Sequence, residues 1–169
     1  MENIHNVINS IDFQALISIY PLSWFNILAC MISGGIIGWE RQIQGKPVGI
    51  RTAILVCLGT YVFVTIGALV TDETSDPSRV LGQVVTGIGF LGAGVMMSKE
   101  GTVVGVTSAA AIWIIAAIGV LIGCNLPLVG IKLSLLSIFI LVGVDYGESS
   151  IKRLQRGVHK RFNSVKETD

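Results

Sequence analysis

Apolar positions fall into long uncharged blocks. No Asp, Glu, Lys or Arg stands between Thr52 and Val70, between Val80 and Ser98, or between Gly101 and Ile131. About 20 such residues in a helix cross the roughly 30 Å hydrocarbon core of a bilayer. The pattern predicts five spans: roughly Leu22–Trp39, Thr52–Val70, Val80–Met97, Val103–Ile122 and Leu126–Val144. Upstream, Ile4, Val7, Ile8, Ile11, Ala15, Leu16 and Ile19 recur at helical spacing, with Asn6, Asn9 and Asp12 on other faces. That is the pattern of an amphipathic helix before Pro21, lying on a membrane surface or packed against a partner or neighbouring subunit. A signal peptide is excluded, because residues 3–20 have neither a basic start nor a convincing cleavage site. The expected fold is an all-α integral membrane protein with an N-terminal amphipathic interfacial helix and five transmembrane helices.

Composition agrees with this reading. Charged residues make up 14% of the 169, against roughly 25% in a soluble domain, and the mean hydropathy is +0.72. The placement of charge then orients the chain. The first loop carries Arg41, Lys46 and Arg51 against Glu40; the second is acidic, with Asp72, Glu73 and Asp76 against Arg79. The third holds Lys99 and Glu100, and the fourth, around Cys124 and Asn125, is uncharged. The tail holds Lys152, Arg153, Arg156, Lys160, Arg161 and Lys166, whereas residues 1–21 contain no Lys or Arg. Positive loops stay on the cytoplasmic side, so the N-terminus is expected outside and the C-terminus inside. Three units follow: an outer-surface helix at 1–21, a membrane domain at 22–144 and a basic cytoplasmic tail at 145–169. Trp24, Phe25 and Trp39 fit interfacial anchors.

Cys30, Cys57 and Cys124 are odd in number and lie in or beside apolar runs, which argues for small buried residues rather than a disulfide framework. His5 and His159 stand at opposite ends and no CxxC pair exists, so no metal ligand set and no cofactor is expected.

The segment GIGFLG (87–92) matches the G-x-G-x-x-G fingerprint of dinucleotide-binding loops. That loop needs a strand before it and an acidic residue about 20 positions on. After Glu100 the next carboxylate is Asp145, so a nucleotide site is excluded. On a helix, Gly82, Thr86, Gly89 and Ala93 form one stripe, Gly87 and Gly94 a second, and Gly92 points a third way. Small residues let membrane helices approach closely, which predicts span three at the centre of the bundle. The alternative is a helix broken in mid-membrane, exposing carbonyls to an ion.

Polar candidates gather at two levels. Asp76-Pro77-Ser78-Arg79 reads as a helix start, with Asp76 as N-cap. From there Arg79, Gln83 and Thr86 make a polar stripe that needs protein or water beside it. Lys132 enters span five from the same side, and Asp76 is its nearest candidate counter-ion in sequence. At the other level, Glu40-Arg41 ends span one and Arg51 opens span two, either as topology determinants with an interfacial ion pair or as a polar cytoplasmic site. A weak echo links Gly35–Ala53 to Gly89–Ala109, which would make spans one to four a parallel repeat of two hairpins.

GGIIGWERQ (34–42), GKPVGIRT (45–52), DPSRVLGQVVTGIGFLGAGVMM (76–97) and VTSAAAIWIIAAIGVLIG (106–123) together resemble the membrane domain of the MgtC/SapB family. The resemblance implies a bacterial inner-membrane protein with a periplasmic N-terminus. It also implies functional weight for Glu40, Arg41, Arg51, Asp76, Arg79 and the glycines of 87–94. Family members are linked to magnesium limitation, survival in host cells and acid tolerance. Virulence members resemble regulators that bind other membrane machines, notably the rotary ATP synthase. This chain ends after a tail of about 25 residues, the expected form of a short member without the cytoplasmic regulatory domain.

Two functions are expected. One is a non-enzymatic membrane regulator that binds other membrane proteins. The other is a small oligomeric transporter or channel for magnesium or another ion. No span carries a carboxylate near its middle, and magnesium takes oxygen ligands, which favours the first. Five short spans leave little room for a pathway within one subunit, so a homo-oligomer, with a dimer favoured, is expected.

Overall fold

The computed structural model describes residues 18–70, 76, 78–99, 102–144 and 146. The expected surface helix at 1–21 and basic tail at 145–169 therefore lie almost wholly outside the described residues. The described residues form five helices: α1 (Trp24–Ile43), α2 (Ile50–Val70), α3 (Ser78–Val95), α4 (Val106–Gly123) and α5 (Pro127–Val144). Between α3 and α4 lies a short antiparallel hairpin, β1 (Met97–Lys99) and β2 (Thr102–Val104), paired from Met97–Val104 to Lys99–Thr102.

Four helices, α2 to α5, are long and apolar enough to cross a membrane. α1 is not among them, since its 20 residues include Asn26, Ser33, Glu40 and Arg41. The hairpin corrects the expected ends of spans three and four. Gly105 lies in the left-handed region (φ +91°), and the Val95 carbonyl occupies the space a Cβ there would need. Only glycine fits such a position without strain. The chain consequently leaves helix after Val95 and re-enters it at Val106.

Local signals set the turns. Gly45 (φ +63°) ends α1 in a Schellman motif: its amide bonds the Gln42 carbonyl at 3.1 Å and the Lys46 amide bonds that of Arg41 at 3.0 Å. Asn125 (φ +61°) ends α4 in the same way, with Asn125 N–H on Ile122 O and Leu126 N–H on Leu121 O, both 2.9 Å. Pro127 then opens α5 at the first helical position, where its missing N–H costs nothing.

The centre of the bundle is α4, which corrects the expectation for span three. α4 packs against α1, α2 and α3, and Gly130 of α5 sits against its Ile118 and Ile122. It is the most buried of the four apolar helices, and α3 is the least. The physical reason is where the glycines meet other chain segments. A Cβ at Gly34 or Gly38 would strike the α2 backbone at Ala53–Ile54 or Ile50, at 2.6–2.9 Å. One at Gly119 would strike the Cys57 carbonyl at 2.5 Å, and one at Gly123 would strike Val64 at 2.7 Å. α2 is thus clamped between two glycine ridges, each spaced by four residues, on α1 and α4. By contrast, added Cβ atoms at Gly82, Gly87, Gly89 and Gly94 of α3 meet nothing within 4 Å. Among these α3 glycines only Gly92 faces a described neighbour, since a Cβ added there would lie 3.7 Å from Ala109 Cβ.

Candidate functional site

One end of the bundle carries the α1–α2 loop and the β-hairpin. There, Arg41 Nε and Nη2 donate to the two Glu40 carboxylate oxygens at 2.5 and 2.7 Å. Both side chains are buried, with Arg41 1% and Glu40 7% exposed. This is a bidentate, charge-assisted pair, the geometry for which guanidinium is suited. Arg41 Nη1 is buried without a hydrogen-bond partner among the described residues, as is Ser33 Oγ, two helical turns away on α1. The loop beside the pair is held in an unusual form. Val48 is β-branched yet has φ +74°, and it is buried in the core cluster. Such a residue in the left-handed region stores strain that its packing must offset. The Gln42 side chain accepts the Ile50 amide at 3.3 Å and so caps α2. Arg51, in the first turn of α2, is exposed, as is Lys46. Among the described residues the Glu40–Arg41 pair is the one salt bridge, so Arg51 stands near it in sequence but apart from it in bonding.

At the opposite end, Asp76 stands as the N-terminal cap of α3. Its carboxylate accepts the Ser78 hydroxyl at 2.6 Å and the Ser78 amide at 2.9 Å. The Ser78 hydroxyl, and then its amide, hold the Asp76 carboxyl below the usual carboxylate range. Arg79 is exposed, and its amide donates to the Asp76 carbonyl at 3.1 Å. Thr86 returns its hydroxyl to the Gly82 carbonyl at 2.9 Å, satisfying itself within the helix. Gln83 lines a groove between α2 and α3. Lys132 is exposed on α5, and no salt bridge among the described residues links it to Asp76. Arg79, Gln83 and Thr86 thus share one exposed helix without forming a closed polar cluster.

The stripe Gly82, Thr86, Gly89 and Ala93 is exposed along its whole length, and added Cβ atoms at Gly82 and Gly89 would meet nothing within 4 Å among the described residues. Among the described residues no three His, Cys, Asp or Glu side chains gather where they could hold a metal.

Sequence reasoning missed three features. Gly34/Gly38 and Gly119/Gly123 had a readable signal, small residues four apart. The hydrogen bond from the Ser23 amide to the Tyr61 hydroxyl, 2.8 Å long across 38 residues, had none. It satisfies an amide at the start of α1, where no neighbouring carbonyl is available. The left-handed Val48 likewise had no signal in its residue type.

The MgtC family profile matches residues 27–149. Over 122 residues the chain is 39% identical to the "Putative magnesium transporter YhiD" of Escherichia coli (strain K12), covering 68% of this chain and 57% of that one. It is 43% identical over 100 residues to "Protein MgtC" of Brucella abortus (strain 2308), covering 59% and 42%. It is 45% identical over 98 residues to "Protein MgtC" of Salmonella typhimurium, covering 58% and 42%. The chain spans about half the length of the curated relatives it matches. No solved structure matches it. With a family profile covering most of its length and apolar helices in the same region, this chain belongs to the MgtC family of membrane proteins.

Proposed function

We propose that this chain is a five-span protein of the bacterial inner membrane that acts in magnesium homeostasis or stress adaptation as a regulator binding other membrane proteins. The observation that carries the reading is the outward face of α3. Its residues at 82, 86, 89 and 93 are exposed, and added Cβ atoms at Gly82 and Gly89 would meet nothing within 4 Å among the described residues; such a face lets another helix approach closely. In this reading α1 is the fifth span, the N-terminus lies outside and the hairpin end lies in the cytoplasm, as the basic first loop and tail favour. The protein is non-enzymatic and forms a homo-oligomer, with a dimer favoured. The rotary ATP synthase is a partner of the kind that the family resemblance implies.

A second reading is a small oligomeric transporter of magnesium or another ion. The printed name of the YhiD relative supports it, as does Gln83 in the α2–α3 groove. Purified protein in liposomes separates the two. The regulator reading expects no flux of magnesium, potassium, protons or phosphate, and a membrane partner retained on mild extraction but lost in Gly82→Leu. Flux that disappears in Asp76→Asn or Arg79→Gln would replace it with transport.

A further inference from the structure

α2 and α3 are consecutive helices, yet they touch less than α1 and α2, α2 and α4, α3 and α4, or α1 and α4 do. They converge at one end only: a Cβ on Gly67 would lie 2.7 Å from Val80 Cγ1. From that contact they splay apart and leave a groove of about 620 Å³, lined from Phe63 and Val80 down to Thr52 and Leu91. Eleven residues separate the ends of each wall, about 16 Å at 1.5 Å per residue. That is close to half of a roughly 30 Å hydrocarbon core, the depth of one leaflet. Gly59 on one wall and Gly87 on the other keep it open, since a Cβ at either meets nothing within 4 Å. The Thr60 hydroxyl in the wall is already engaged with the Val56 carbonyl at 2.8 Å.

The two mouths differ in charge. The narrow end lies near Asp76, in a stretch of sequence that also holds Asp72 and Glu73. The wide end lies at Thr52, directly after exposed Arg51, with exposed Lys46 in the preceding loop. Glu40, the one carboxylate in that loop region, is committed to Arg41. Among the described residues the open mouth therefore offers the exposed cationic side chains of Arg51 and Lys46, at the depth where headgroups lie.

From this geometry we infer that the α2–α3 groove seats one acyl chain of an anionic phospholipid from the leaflet at the Arg51 end, with Arg51 and Lys46 holding its phosphate. The inference rests on the helices spanning a bilayer and is independent of whether the protein regulates or transports. A neutral lipid would fill the groove equally well but lacks the charge match. A second copy of the same orientation seated in the groove would bring its own cationic loop to the same cationic end.

Native mass spectrometry of the full chain in mild detergent, with phosphatidylglycerol or phosphatidylethanolamine added, tests this. One phosphatidylglycerol is retained over phosphatidylethanolamine by roughly fivefold or more, the scale set by one basic side chain near a headgroup. Gly87→Leu fills the groove and loses the bound lipid while keeping its helical circular dichroism; Arg51→Gln keeps a lipid but loses the preference for the anionic one. Should Gly87→Leu fail to fold, Gly59→Leu carries the same test from the opposite wall. Equal retention of the two lipids by the unmodified chain overturns the inference. Undiminished lipid retention in the filled variants does so too, including the case where filling separates a dimer.

Discussion

Neighbouring residues on a helix point about 100° apart, yet Glu40 and Arg41 fold their side chains together and bury both. A buried pair of this kind is a matched set, because removing one partner leaves the other charge uncompensated at a cost of about 3–5 kcal/mol. Glu40→Gln should therefore destabilise the protein by that order, read as a drop in melting temperature in detergent. Arg41→Lys keeps the charge but loses the fork geometry and should fall between the two. Asp76 makes a different kind of contribution. Its carboxyl is held below the usual range by Ser78, so its cap is fully formed above the unfolded carboxylate pKa of about 3.9. The stabilisation is lost as pH falls through the lower folded value. Proteolysis of the α2–α3 connection should accelerate below pH about 4 in the native chain. In Asp76→Asn that acceleration should be weaker, since an amide still accepts from Ser78 but does not titrate.

At the scale of elements, glycines of one residue type divide into two kinds by what they face. Gly119 lies on the Cys57 carbonyl and Thr60, whereas Gly82 faces open space. Overpacking costs about 1–3 kcal/mol and sometimes more, so Gly119→Leu should unfold or misassemble the bundle. Gly82→Leu should leave the melting temperature of the isolated chain unchanged or raise it slightly, since leucine is the better helix former. Comparing the two melts in detergent checks this. The contrast also shows what was legible in the sequence. Uncharged runs revealed four of the helices within a few residues, because desolvated charge is costly enough to leave a visible gap. The glycine run at 87–94 drew attention to α3, but density of small residues does not say which face meets a neighbour. The ridge at Gly119 and Gly123, diluted among Ile, Val and Leu, is what places α4 at the centre. The Glu40–Arg41 pair was legible as chemistry, and its depth was not, because burial depends on tertiary packing around the helix end, which residue type does not report.

Across the whole molecule, the charge distribution and the helix order impose one arrangement of ends. The α1–α2 loop and the hairpin share one end, and the α4–α5 turn lies at the other. With the basic loop inside, a cysteine introduced at exposed Lys46 should react with a membrane-impermeant maleimide only after the inner membrane is opened. Native Cys124, exposed in the α4–α5 turn, should react in intact spheroplasts. The reverse labelling would invert the proposed orientation and, with it, the leaflet that supplies the lipid.

The central position of α4 has a consequence for how such a chain is made. α1 and α2 carry their mutual contacts at Gly34 and Gly38 and can close as a hairpin when both have left the ribosome. α3 emerges next and finds little of α2 to hold, apart from the meeting of Gly67 and Val80. Its buried residues, Ile88 and Gly92, wait for a helix that is synthesised after it. Assembly is thus out of step with translation: the third helix enters the bilayer as a lodger, and the fourth, arriving later, gives it a place.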